Sequence, residues 1–182
     1  NMIWLYMIGF NTLCRLAMSR KHLAFNPFCE YKNTKKDKDR GYLLRYELEQ
    51  LVTFKCEKKK DELVKDLFVF SCFTGLSYSD MRGLKNSNIQ EFFDGNQWII
   101  VRRKKTATSS NVMLLDIPKM IIEKYTGLSK DGKVFPVPSN SYCNDRLSAI
   151  SEQIDCLKEK KVTFHLARHT FATLFLRRSL KK

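Results

Sequence analysis

The sequence is short of acid, of paired cysteines and of long apolar runs. Nineteen Asp and Glu face 33 Lys and Arg, a formal charge of +14 over 182 residues. A deficit of that size excludes a charge-balanced surface and predicts a polyanionic partner, nucleic acid being the simplest. Six cysteines are scattered along the chain (Cys14, Cys29, Cys56, Cys72, Cys143 and Cys156), and no two form a C-x-x-C pair. They read as reduced thiols in a cytoplasmic protein, several of them buried as small hydrophobes. The apolar run MIWLYMIGF is far too short to span a bilayer, and no small-residue cleavage site follows it. No membrane is expected as a partner. The start on Asn1, in mid-pattern, reads as that of a fragment. What is present in quantity is apolar residues, 43% of the chain with 12% aromatics, which excludes a disordered polymer and allows one domain or one domain with a piece of another.

Residues 2–23 carry Ile3, Met7, Phe10, Leu13, Leu16 and Ala17 at mostly helical spacing and stop at Asn26–Pro27, where helix is disfavoured. YKNTKKDKDRG, closed by Gly41, has no apolar periodicity and reads as a linker. The expected division is therefore 1–30, 31–41 and 42–182. In the last segment, YLLRYELEQLVTF and KDELVKDLFVFSCF predict two helices, the second buried at its apolar end. Thr74–Gly75 breaks that helix, and Ser77 with Asp80 forms an S-x-x-D capping box for a short helix that carries Arg82. The runs NIQEFF, WIIVRR and VMLLDI, separated by turn-like stretches, predict a three-stranded antiparallel meander with Lys104 and Lys105 at its second hairpin tip. Three further helices are expected, one from Pro118 through Tyr125, one after the loop VFPVPSN, and one in TFHLARHTFATL. The fold class is mainly α with a small three-stranded antiparallel sheet.

TFHLARHTFATL places His165, Arg168 and His169 on one helix. Three readings compete. His165 and His169 have the i,i+4 spacing of the H-E-x-x-H zinc site, but position 166 is Leu rather than the general-base Glu, and no third ligand is evident. The two imidazoles could instead satisfy backbone groups near the helix start. Thirdly, His165 and Arg168 are i,i+3 neighbours able to hold one anion, since an arginine fork suits two phosphate oxygens. That reading expects further cations from elsewhere in the chain, such as Arg82 and a hairpin-tip lysine.

TGLSYSDMRGL, the hairpin WIIVRRKKT and HLARHTFATL, in this order and at these separations, resemble the catalytic domain of the tyrosine recombinases, the phage-integrase family. The likeness covers roughly residues 42–178 and is strongest to the integrases of conjugative transposons and Bacteroides-type recombinases. It implies the α+β catalytic-domain fold of the DNA breaking-rejoining enzymes, with residues 1–30 the last helix of an N-terminal core-binding domain. It further implies Arg82, Lys105, His165 and Arg168 as catalytic residues, with Lys104 the other choice for the hairpin lysine. His169 matches a frequent histidine after the arginine that packs and orients. Arg102, Arg103, Lys104, His169, Arg177 and Arg178 are the expected DNA contacts. The family needs no metal or other cofactor and no small-molecule substrate. Its partner is double-stranded DNA, on which the parent protein is expected to assemble as a tetramer over two sites.

Two family elements are missing. All seven tyrosines precede His165, so none matches the nucleophile that follows H-x-x-R in the family, and no second His or Trp follows either. The expectation is a catalytic domain truncated before its nucleophile, in a parent that recombines or integrates DNA site-specifically. The alternatives are a non-catalytic DNA-binding module of the same ancestry, or a metal-dependent nuclease using His165 and His169. Against the nuclease stands the lack of an acidic cluster near the two histidines.

Overall fold

The computed structural model describes residues 2–31, 41–93, 95–102, 109–129 and 131–179, of which 176–179 are described for the backbone alone. The chain divides into two units, Asn1–Asp39 and Arg40–Lys182. The first holds helix α1 (Met2–Ser19). Ile3, Leu5, Phe10 and Leu13 on this helix are exposed, and Cys14 is its one buried residue. The unit closes on itself through an amide pair, Asn26 Nδ2 donating to Asn11 Oδ1 at 3.0 Å.

The second unit contains α2 (Arg45–Thr53), α3 (Lys59–Thr74), α4 (Tyr78–Arg82), β1 (Ile89–Glu91), β2 (Gln97–Arg102), β3 (Ser109–Met113), α5 (Asp116–Tyr125), α6 (Asn140–Ser151) and α7 (Phe164–Ser179). The fold class is the expected one, mainly helical with one three-stranded antiparallel sheet in the order β1-β2-β3. The ladder pairs Ile89 with Ile99 and Trp98 with Met113.

The third strand differs from its expected place. VMLLDI predicts a strand over residues 112–117, whereas the strand spans Ser109–Met113. The register with β2 draws in Ser109 opposite Arg102 and Ser110 opposite Val101. Leu114 is then buried beneath the sheet, and Asp116 opens α5. A continuous apolar run gives no period by which to place such a boundary.

Helix α3 is the centre of the core. It packs against α2, α5, α6 and α7, so that every residue from Val64 to Cys72 is buried, charged ones included. Each fully buried Phe or Leu contributes about 1.5–3 kcal/mol, and Phe68 and Phe70 stack edge-on against Phe164 and Phe135. The buried charges are paired, as their desolvation requires. Lys65 Nζ donates to the Phe54 carbonyl at 2.6 Å, just beyond the C-terminus of α2. Asp66 accepts from Lys124 at 2.7 Å and from the Tyr125 hydroxyl at 2.9 Å. Among the described residues all six cysteines are free; burial pushes the Cys143 thiol up to about 11 and Cys72 well above the usual thiol range.

Helix α3 ends at Gly75, whose φ of +66° is left-handed. A side chain there is also blocked, since a Cβ would lie 2.5 Å from the Phe171 ring of α7. Ser77 caps α4 as its sequence predicts. Its hydroxyl accepts from the Asp80 amide at 3.2 Å and bonds the Asp80 carboxylate at 2.7 Å. At the other side of the core, Thr170 of α7 is fully buried. Its Oγ1 accepts the Leu43 amide at 2.9 Å and donates to the Leu166 carbonyl at 2.9 Å.

Two stability measurements test this packing. Gly75→Ala imposes both a left-handed backbone and the Phe171 overlap, and lowers unfolding stability by about 1–3 kcal/mol. A urea midpoint unchanged from the parent would show that α3 and α7 do not approach this closely. Thr170→Val keeps the volume but strands the Leu43 amide, at a cost of about 1–3 kcal/mol. Thr170→Ser, which restores the hydroxyl, recovers most of that loss.

Candidate nucleic-acid interface

Helix α7 sorts its side chains by face. Phe164, Leu166, Ala167 and Thr170 are buried, while His165 and His169 are exposed and Arg168 is half-buried. The three cationic or imidazole groups therefore stand together on the outer face because 165, 168 and 169 recur one turn apart. The two histidines touch, Nε2 to Nε2 at 3.1 Å, with the rings edge to face.

His165 and Arg168 line one cleft of about 670 Å³. Its walls come from three helix beginnings. Ser77–Asp80 belong to the start of α4, Asn140 and Asn144 to the first turns of α6, and Thr163 and Phe164 to the entry of α7. Helix starts carry amide N–H groups without intrahelical partners and the positive end of the helix dipole, so α6 and α7 both favour an anion here. Asn144 adds a further feature. Its Oδ1 is buried and has no hydrogen-bond partner.

Arg82 is exposed and lines a neighbouring hollow with Asp131 and Lys133 rather than the cleft itself. The two are linked by Tyr78. Its ring lines the cleft and packs on Phe164 at 5.6 Å between centroids. Its hydroxyl donates to the Pro138 carbonyl, and the Arg82 guanidinium lies near enough to act on it electrostatically. Burial pushes the Tyr78 hydroxyl above its ordinary range although the Arg82 guanidinium acts to lower it. Tyr78 is thus a protonated strut between the two sites of positive charge. The hollow around Arg82 is held by a loop on which Lys133 pairs with Lys85 and Asn86 N–H meets the Gly132 carbonyl at 2.9 Å.

The structure therefore brings His165, Arg168 and His169 together and sets Arg82 one side chain away. Arg102 closes β2 as an exposed residue. Arg103, Lys104 and Lys105, and the side chains of Arg177 and Arg178, lie outside the described residues. Asn140, Asn144 and Lys133 are additions that sequence reasoning missed. The N-cap Ser139 before Asn140 was a signal for a helix start, whereas nothing local marks Lys133. Among the described residues no three His, Cys, Asp or Glu side chains group as a metal site, and no helix is long and apolar enough to cross a membrane.

No protein-family model and no curated protein matches the sequence. Solved structures do match. The chain superposes on the Tn1549 transposon integrase in complex with circular intermediate DNA with a TM-score of 0.71 at 16% identity, over 94% of this chain and 66% of that one. For a lambda integrase dimer bound to a core site the TM-score is 0.68 at 16% identity, over 93% and 51%. For the XerH recombinase in a post-cleavage complex with palindromic difH substrate it is 0.62 at 20% identity, over 82% and 45%. The chain spans about half to two thirds of the length of these proteins. From Arg45 onward, the helices around α3 and the three-stranded meander give this chain the fold of the tyrosine recombinase catalytic domain.

Proposed function

We propose that this chain is the catalytic-domain portion of a tyrosine-type site-specific DNA recombinase of a mobile element, and that the chain alone binds duplex DNA without cutting it. The observation that carries the reading is the convergence of His165 and Arg168 in a cleft built from helix starts, within a recombinase fold. The proteins it superposes on include a transposon integrase and a Xer recombinase in complex with DNA. The motif resemblance to conjugative-transposon and Bacteroides-type integrases agrees with that choice.

In the parent reaction a tyrosine oxygen bonds to the scissile phosphorus and the P–O5′ bond breaks. This leaves a 3′-phosphotyrosyl link and a 5′-hydroxyl. The phosphodiester bond energy stays in the covalent link, so strand exchange needs no nucleotide cofactor. Arg168 and Arg82 hold the non-bridging oxygens, where transition-state charge is largest, and losing one such donor costs about 2.7–4 kcal/mol of barrier. Arg82 reaches the phosphate from beside Tyr78. His165 orients the phosphate and assists proton transfer, and Lys105 delivers a proton to the departing 5′ oxygen. Guanidinium and ammonium groups supply the positive charge that a metal supplies elsewhere. Arg102, Arg103, Lys104, His169, Arg177 and Arg178 contact phosphates along the duplex, giving affinity more than sequence choice. The parent acts in the cytoplasm as a tetramer on two DNA sites.

A non-catalytic DNA-binding module of the same fold is the second reading. The observation favouring it is that Arg82 lines a hollow separate from the cleft of His165 and Arg168.

The test is binding and cleavage on one duplex. Affinity falls with salt along a log–log slope of about −0.9 per phosphate contact. Arg168→Ala makes that slope shallower by about 0.9 and weakens binding roughly tenfold or more. A suicide substrate shows no covalent adduct on a denaturing gel. An adduct would mean that a tyrosine before His165 attacks the phosphate, and absence of binding at low salt would remove the nucleic-acid assignment.

A further inference from the structure

Lys85 and Lys133 are 48 positions apart in the sequence (133 − 85), and the fold sets them directly opposite one another. The two short segments that carry them form an antiparallel bridge. Val134 N–H donates to the Leu84 carbonyl at 3.1 Å on one side of the lysines, and Asn86 N–H to the Gly132 carbonyl at 2.9 Å on the other. Bonds that flank a pair in this way make it the non-hydrogen-bonded kind. In such a pair both side chains face the same way, with Cβ atoms about 4.5–5.5 Å apart. Leu84 and Val134, one position along, are buried. The alternation of an extended chain therefore turns both lysines outward. Lys85 is exposed and Lys133 half-buried.

Like charges directly opposite one another repel, and a bridge selected for stability alone would carry a carboxylate at one of the two places. Here neither ammonium makes an ion pair with a described residue. Lys133 also lines the hollow of Arg82. Among the described residues the one carboxylate lining that hollow is Asp131, exposed and at a φ of +62°. It makes no ion pair with a described Lys or Arg either. Arg82, Lys85 and Lys133 against Asp131 leave a local charge of +2 (3 − 1). The backbone beneath is fixed, since Lys85 N–H donates to Asn88 Oδ1 at 3.0 Å and the buried Leu84 and Val134 anchor both segments. Like charges held side by side on a fixed backbone, with no acid to neutralise them, are completed by an anion from outside.

We propose that Lys85 and Lys133, beside Arg82, form a docking surface for the backbone of duplex DNA, holding a phosphate other than the one received by His165 and Arg168 in the cleft. The pairing of the lysines rests on geometry alone; the identity of the anion rests on the DNA-binding reading above. Ammoniums on flexible stems meet a phosphate as point charges, so the contact gives affinity and no sequence choice. The Arg82 guanidinium acts on Tyr78, which lines the cleft, so hollow and cleft are neighbours and one duplex spans both.

The test measures binding of the whole chain to a fluorescent duplex of arbitrary sequence over a range of salt. Lys85→Gln combined with Lys133→Gln is expected to make the log–log salt slope shallower by about 1.8, two contacts at about 0.9 each. With the affinity in 1 M salt unchanged, that slope weakens binding roughly thirtyfold at about 0.15 M salt. Lys60→Gln removes a charge elsewhere, at the far end of α3 and about 21 Å from Thr74 along the helix, and leaves the slope unchanged. Lys85→Glu separates docking from structure. A Glu opposite Lys133 makes the favourable pair that the chain lacks, so the urea midpoint holds or rises while affinity falls. Unchanged affinity and slope in the double variant would overturn the proposal and leave the DNA-binding reading intact. An equal loss per charge in Lys60→Gln would do the same, because net charge and not this surface would then set the slope. A fall of midpoint and affinity together in Lys85→Glu would make the lysines structural and also overturn it. Absence of binding by every form, the unaltered chain included, would remove the DNA-binding reading and the proposal with it.

Discussion

Burial of α3 on every side is the constraint from which the rest of the domain follows. An α-helix with no solvent face cannot leave a polar side chain unpaired, because each orphaned group costs about 1–3 kcal/mol. Its polar residues therefore select its neighbours. Lys65 claims the carbonyl end of α2, Asp66 claims Lys124 and Tyr125 of α5, and Asp61 at the rim takes Arg146 of α6 with a two-pronged bond, Nε to Oδ1 at 2.6 Å. The fourth neighbour, α7, is held by shape, through Phe164 on Phe68 and Phe175 on Phe73. Charges choose the partners and aromatic rings set the distances.

The cleft inherits its order from that arrangement. Gly75 ends α3 with a turn only a residue without Cβ makes comfortably, and the same missing Cβ lets Phe171 of α7 lie against it. The start of α4 is thereby fixed beside the start of α7. Ser77 and Asp80 lock the single turn of α4, which sets Arg82 beside the cleft, and Tyr78 packs its ring on Phe164. Binding chemistry at the surface is positioned by a chain of contacts that begins in the core.

The parts legible in the sequence were those decided over a few residues. The Gly75 stop, the Ser77–Asp80 cap and the outward set of 165, 168 and 169 each follow from local geometry. The first two strands could be read from β-rich runs bounded by turn residues. The third could not, because VMLLDI is apolar throughout and its boundary depends on which β2 residue each position faces. The sequence predicts burial only for the apolar end of α3, and the packing of four helices around it is what makes Lys65 and Asp66 interior. Asn140, Asn144 and Lys133 reach their hollows through folding across long sequence distances.

The hydrogen bond from the Leu43 amide to Thr170 joins residues 127 positions apart. It bears on the order of events when the chain is made. Helix α3 is complete by Thr74, but α7, which covers Phe68 and Phe73, begins at Phe164, 90 residues later (164 − 74). On a ribosome adding about 5–20 residues per second, that interval lasts several seconds, during which the most apolar helix of the domain lacks one wall. Closure of this high-separation contact is an entropic cost met only once α7 has been made. Nascent chains stalled before Thr170 therefore expose a sticky aromatic groove, and chaperone capture in that window competes with folding.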